Sequence, residues 1–230
     1  MFKESTTSCK DCQCKWPNFE NLTDEQLALI DSSRYQAKFK PGEIIFKQGS
    51  PTSNAIFLTS GFAKIYIEGY DNKNIILSIV KPTRLIAGPG SYVDNRHHYS
   101  LAAITETTAC FVDMSVIKKL VHENSSFAEG YLKDISKKSL NTFNKLLSFS
   151  QKKMHGRLAE GLIHLAFDVF EEQKFKCHLT RQELGELTGM TKESVVRLLK
   201  EFHDEQIIRM EDSCIEIIDR VKLEKIMVSG

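Results

Sequence analysis

Three cysteines near the start of the chain, Cys9, Cys12 and Cys14, stand in a Cys-x2-Cys-x-Cys run followed by Trp16 and Pro17. Thiols this close, once deprotonated, can ligate a soft metal or exchange with disulfides. A second chemical set lies towards the other end, where Lys192, Glu193, Ser194, Val196, Arg197 and Lys200 crowd together. On the outside of one helix such side chains can reach base edges and phosphates in a DNA major groove. A third set, Arg96-His97-His98, is a small cationic knot in a loop. Its plainest reading is a solvated turn; the sharper ones are contact with an anionic effector or haem ligation.

The elements that position the second set can be read from Thr180 to Arg209. Leu184 and Leu187 give a first short helix its apolar face, and Gly189 marks its stop, where a left-handed residue costs glycine nothing. Thr191 caps a second helix with Leu198, Leu199 and Phe202 on its buried side. Gly185 in mid-helix is costly unless another backbone comes close, as it does where two helices cross in a helix-turn-helix. An ordinary bundle carrying a charged helix would imitate the pattern. Arg157–Phe170 predicts an amphipathic helix before it, and Cys214–Ile218 a strand after it, which makes the motif winged. Gln151–Gly156 is a polar break and a candidate hinge.

The elements around the cysteines follow a different period. Asn21–Ile30 predicts a short helix with Thr23 as N-cap and Gln26 three residues on. Short β-rich runs then alternate with turn signals: Glu43–Lys47, Ala55–Thr59, Phe62–Glu68, Asn74–Val80, Ser100–Thr105 and Ala109–Met114. Strands this short and regular predict an antiparallel roll. After Met114 the period becomes helical, first over Ser115–His122 and then over a long helix from about Phe127 to Ser150. Leu132, Ile135, Phe143, Leu146 and Leu147 form a narrow stripe on it, which suits a seam between two subunits. The expected fold is α+β: a Cys-containing segment (1–22), an antiparallel β-roll or jelly roll (23–122), a dimerisation helix (123–150) and a winged helix-turn-helix (151–230).

Composition sets bounds. The 230 residues are 41% hydrophobic and 27% charged, enough to build real cores. No apolar run approaches the ~20 residues of a membrane span. The first residues, MFKESTTSCKDC, are too polar for a signal peptide, so a cytoplasmic chain is expected. There, six cysteines read as thiols, ligands or redox groups rather than disulfides. Residues 151–230 carry 13 lysines and arginines against 15 acids, a net of −2. That counts against indiscriminate DNA binding, which needs positive charge, and leaves room for a specific reader with a few placed cations.

Pro41-Gly42-Glu43-Ile44-Ile45-Phe46, Gly49 and the run Phe57–Tyr66 look like a cyclic-nucleotide-type β-roll signature. Thr180-Arg181-Gln182-Glu183-Leu184-Gly185 and Lys192-Glu193-Ser194-Val195-Val196-Arg197 look like the entry to a first DNA-binding helix and the core of a recognition helix. In this order, over nearly the whole chain, they resemble the CRP/FNR family of bacterial transcription regulators. The resemblance implies a homodimer on a palindromic, TGA-containing site, with RNA polymerase as a further partner and no enzymatic activity. It implies that Glu193 and Arg197 read the TGA core, that Thr180, Arg181 and Gln182 hold phosphate, and that Lys192 reads one further base or touches phosphate. Thr191 and Ser194 open the same helix and belong to the same interface.

The input is less determined. In nucleotide-binding members of that family an arginine followed by serine or threonine clamps the cyclic phosphate, and a glutamate after a glycine takes the ribose. Here Tyr99 precedes Ser100, and no glutamate follows Gly88, so cyclic AMP is not expected. In the oxygen-sensing branch, an N-terminal cysteine cluster and one distant cysteine hold a [4Fe–4S] cluster. Cys9, Cys12, Cys14 and, by alignment, Cys110 would be its ligands. The Cys-x2-Cys-x-Cys run is tighter than that branch's spacing, and zinc, thiol redox chemistry or no metal at all stand as alternatives. Cys177 and Cys214 read as structural. Competing functions are a ligand-binding module acting through protein contacts and an iron-sulfur or thiol redox protein.

Overall fold

The structure, a computed structural model, describes residues 8–230 apart from the Asn72 side chain. Residues 1–7 of the expected 1–22 segment, including part of its polar start, lie outside the described residues. The chain divides into two units: residues up to Glu68 with Ile79–Leu140, and Gly69–Ser78 with Asn141–Gly230. The division falls inside the long helix.

In the first unit a 3-10 turn, Pro17–Asn21, leads into α1 (Asp24–Ser32). Thr23 and Gln26 close a reciprocal capping box at its start, as their spacing predicts. Eight strands follow, with the first four residues of β5 counted in the second unit: β1 (Arg34–Phe39), β2 (Ile44–Phe46), β3 (Asn54–Ser60), β4 (Ala63–Ile67), β5 (Ile75–Val80), β6 (Leu85–Ile86), β7 (Ser100–Ala103) and β8 (Thr107–Asp113). They form two four-stranded sheets, ordered β1-β8-β3-β6 and β2-β7-β4-β5. The pairs β1/β8, β3/β8, β3/β6, β2/β7 and β4/β7 are antiparallel. Six of the eight strands fall on the expected β-rich runs. β1 and β6 do not, because RYQAKF lacks apolar alternation and β6 is only two residues long.

α2 (Met114–Glu123) starts at Asp113, whose side chain accepts from the Ser115 amide, and α3 spans Ser125–Gln151. Trp16, Phe19, Phe57, Phe127 and Tyr131 gather in one buried cluster with Ile30, Ile117 and Leu120. Each such side chain contributes roughly 1.5–3 kcal/mol by leaving water. Ile135 packs against this cluster, so it is not part of the free apolar stripe expected on α3. Leu132, Phe143, Leu146 and Leu147 are more than half exposed, and Leu140 joins them.

The second unit contains α4 (Met154–Ile163), β9 (Lys174–Lys176), α5 (Arg181–Thr188), α6 (Lys192–Asp204), β10 (Ile208–Glu211), β11 (Cys214–Ile217) and α7 (Arg220–Ser229). The break expected over Gln151–Gly156 is only Lys152 and Lys153. The Lys153 amide donates to Gly230 O at 3.0 Å, and Gly156 packs against the same terminal backbone, which holds that junction tight. The helix expected to Phe170 loosens into a π-helical turn over His164–Val169. β10, β11 and β9 make the three-stranded wing in that order, and β9 and β10 are additions to the one strand expected there.

Candidate nucleic-acid interface and cysteine cleft

α5 begins with a capping box: Thr180 Oγ1 accepts from the Glu183 amide, and Glu183 accepts from the Thr180 amide. It stops at Gly189, which sits at φ +65° as its position predicts. Gly185 does meet another backbone: a Cβ there would lie 2.5 Å from Met190 O, in the turn itself. Two cations hold that turn. Lys145 Nζ of α3 donates to Leu187 O at 2.8 Å, and Arg157 Nη1 of α4 donates to Gly189 O at 3.0 Å. Phe149 lies under both, 5.2 Å from the lysine and 5.9 Å from the guanidinium. Burial draws Lys145 down to about 8, against the opposing pull of Glu160.

Thr191 caps α6 by accepting from the Ser194 amide at 3.3 Å. Val195, Leu198, Leu199 and Phe202 are buried, and Lys192, Glu193, Val196, Arg197 and Lys200 are exposed on the other side. The expected readers Glu193 and Arg197 therefore share an open face one turn apart. Hydrogen bonds at the helix start, from its own amide and Thr191, hold the Glu193 carboxyl below the usual range. Arg197 leans the other way, with Nη1 3.7 Å from Glu201 Oε2. Glu201 in turn meets His155 Nε2 of α4 at 2.8 Å. Neither residue was singled out by sequence reasoning, although Glu201 sits four residues beyond Arg197, the spacing of a helical ion pair. Thr180, Arg181 and Gln182 lie at the start of α5, where first-turn amides lack helical partners and suit a phosphate. The Thr180 and Thr191 hydroxyls are committed to capping.

In the first unit one cleft is lined by Cys9, Cys12, Cys14 and Cys110 together with Trp16, Arg34 and Phe57. Cys110 comes from the middle of β8, paired to Gln36 on one side and Phe57 on the other. Asp31 anchors the N-terminal strap by accepting from the Cys9 amide at 2.9 Å and from Ser8 Oγ at 2.9 Å. Arg34, its side chain only 8% exposed, donates to Asp31 at 2.7 Å and also lies beside the Cys110 sulfur. Burial pushes the Cys9 thiol up to about 12 and raises that of Cys110, with Arg34 pulling each back. In this form both are neutral thiols.

Donor number and chemistry suit a thiolate-bound centre, with Arg34 to balance its charge. Spacing does not yet: among the described residues no three metal-ligating side chains stand at binding distance, and the cleft is barely wide enough for one water. A centre larger than a water would need this cleft to widen. Trp16 links this cleft to α3, packing edge-on against Phe127 at 5.6 Å and Tyr131 at 6.4 Å. Asn18 Nδ2 donates to Phe127 O at 2.8 Å beside it. Cys177, whose thiol meets Leu179 O at 3.6 Å, and Cys214 on β11 lie in the other unit.

The corner around Ser100 is tied together by hydrogen bonds within the roll. Ser100 Oγ donates to Glu68 Oε1 at 2.7 Å and accepts from the Gln48 amide at 2.8 Å. Tyr99 stands 3.6 Å from where a Cβ on Gly88 would be, and burial raises its phenol pKa. The cationic knot separates rather than forming a solvated turn. His97 is buried and stacked on Phe46 at 3.7 Å, His98 pairs with Asp94, and Arg96 donates to Gly49 O.

Residues 36–124 match the cyclic nucleotide-binding domain family, and residues 156–226 match the Crp-like helix-turn-helix domain. The chain is similar to the CRP-like cAMP-activated global transcriptional regulator of Mycobacterium tuberculosis, 23% identical over 90% of this chain and 94% of that protein. It is likewise 23% identical to the transcriptional activator protein Anr of Pseudomonas protegens, over 94% of this chain and 90% of that one. In fold it is similar to FixK2 from Bradyrhizobium japonicum, with a TM-score of 0.78 at 18% identity, covering 85% and 98% of the two chains. No helix among the described residues is long and apolar enough to cross a membrane. The chain belongs to the CRP/FNR family of transcription regulators, and it is a DNA-binding protein rather than an enzyme.

Proposed function

We propose that the chain acts as a homodimer on a palindromic, TGA-containing duplex, and that the chemical state of Cys9, Cys12, Cys14 and Cys110 controls that binding. The observation that carries the output is the face of α6, where Lys192, Glu193, Val196, Arg197 and Lys200 are exposed while Val195, Leu198, Leu199 and Phe202 are turned inward. Arg197 suits guanine O6/N7 and Glu193 suits cytosine N4, while Arg181 and Gln182 address phosphate. Leu132, Leu140, Phe143, Leu146 and Leu147 form the apolar stripe of the dimer seam. Duplexes that the chain selects from a random DNA pool are expected to be enriched in a two-fold TGA motif bound by two chains per duplex. Enrichment of a single half-site bound by one chain would reject this reading.

For the input, relatives divide between a cAMP-activated regulator and the activator Anr. The corner geometry favours the second kind, because Glu68 puts a carboxylate on Ser100 where an anion would need a cation. The four cysteines would hold a [4Fe–4S] cluster, which supplies sensitivity to oxygen when bound. Trp16 would carry the change, since whatever moves the strap moves the ring that packs on Phe127 and Tyr131 of α3. Anaerobic purification is expected to give a brown chain with ~4 iron atoms whose Trp16 fluorescence is quenched. A colourless, iron-free chain that binds one zinc instead would replace the cluster with a zinc site. Such a regulator works in the cytoplasm and acts on RNA polymerase.

A further inference from the structure

We propose that Glu201, held in place by His155, presets the Arg197 side chain for base reading, and so sets sequence selectivity without touching DNA. The inference rests on Arg197 being a base reader. It goes further by naming two residues outside the reading face.

Three observations carry it. Glu201 Oε1 meets His155 Nε2 at 2.8 Å, which leaves Oε2 turned to Arg197 Nη1 at 3.7 Å. His155 comes from a different helix, α4, and its ring packs 6.1 Å from that of Phe202, which is buried and is the neighbour of Glu201 in the sequence. Glu201 is therefore fixed from outside its own helix, unlike an ordinary surface partner. Finally, the other carboxylate one turn from Arg197, Glu193, is drawn to the start of the helix by Thr191 and its own amide. Among the described residues the guanidinium is ion-paired with Glu201, which lies on the side away from the helix start.

The pair is half exposed, and exposed pairs add little to stability. Its effect is on freedom. A free arginine explores many rotamers and loses them on docking bidentately to guanine, and a fixed carboxylate removes part of that loss beforehand. The same carboxylate repels phosphates, so it weakens binding to every sequence alike. Together the two effects trade general affinity for discrimination.

The test uses the full chain, a duplex that it enriches from a random pool, and the same duplex with the guanine of each half-site replaced by adenine. Selectivity is the ratio of the two dissociation constants. Glu201→Ala is expected to lower selectivity about 3- to 10-fold while tightening binding to the substituted duplex, and the milder Glu201→Gln to do the same to a smaller extent. In an Arg197→Ala background, Glu201→Ala is expected to change selectivity less than about twofold. His155→Leu should copy Glu201→Ala, and His155→Gln, which keeps a donor, should restore most of the loss. Wild-type selectivity in Glu201→Ala, or an equal loss with and without Arg197, overturns the proposal. An Arg197→Ala chain with undiminished selectivity removes the base-reading assignment itself and this inference with it.

Discussion

The cysteine cleft and the face of α6 are built on opposite plans. Around the cleft, nearly every residue with chemistry also has a packing duty. Cys9 and Cys110 are buried, Trp16 is 4% exposed, and the side chain of Arg34 is enclosed between Asp31 and the sulfurs. On α6 the two jobs are divided, with Val195, Leu198, Leu199 and Phe202 packing while Lys192, Glu193, Arg197 and Lys200 face outward. A buried residue of the cleft such as Trp16 cannot change without disturbing the core, which suits a site meant to move a structure. An outward residue on α6 can change with little consequence for the fold, which suits a site meant to read a partner.

That contrast is open to attack through four substitutions. Trp16→Ala removes a buried ring touching Phe19, Phe57, Phe127 and Tyr131, and is expected to cost about 3–5 kcal/mol in urea unfolding. A cost under about 1 kcal/mol would show that the strap is not part of the core.

His97, stacked on Phe46 elsewhere in the roll, gives a pH test of burial there. Its folded form takes a proton only near 4, because burial disfavours the charge, against 6.5 for a free histidine. Between those values the unfolded chain binds more protons, so this contribution is full above about 6.5 and is lost as pH falls towards 4. The loss is on the order of 2–3 kcal/mol, and His97→Gln is expected to flatten it. Equal pH slopes in the two chains would contradict it.

Arg197→Ala is expected to weaken binding to the enriched duplex by about 1–3 kcal/mol, and to leave unfolding within about 0.5 kcal/mol of wild type. A stability loss larger than the binding loss would blur the division on α6. Thr191→Ala sits at the border: losing the cap is expected to cost about 1 kcal/mol in stability, with DNA affinity falling alongside.

Much of α6 was legible because its signals are local. The cap at Thr191, the stop at Gly189 that ends α5 just before it, and the period of Leu198, Leu199 and Phe202 all act within a few residues, and each recurs in the structure; the capping role of Thr180 came only with the structure. The roll was legible where strands are apolar. It was missed at β1, whose half-buried residues follow no alternation, and at β6, which is too short to show a period. Helical period alone placed Ile135 with Leu132, but its side chain packs against the core of the first unit, a tertiary contact that no local pattern encodes. His97 was read as solvated from its polar neighbours, and the stacking partner Phe46 lies fifty-one residues away. The cysteine cleft was half legible. The N-terminal run announced itself, whereas the proximity of Cys110 depends on β8 lying between β1 and β3.

The central claim, that sulfur chemistry governs the reading head, is tested most directly by one titration. The dissociation constant of the full chain for its enriched palindrome is measured without oxygen after iron and sulfide loading, and again after exposure to air. The account predicts at least a tenfold difference (about 1.4 kcal/mol) between the two states, and no difference in a chain with Cys9, Cys12, Cys14 and Cys110 all changed to serine. Equal affinities in both states, or a difference that persists in the serine chain, would contradict it.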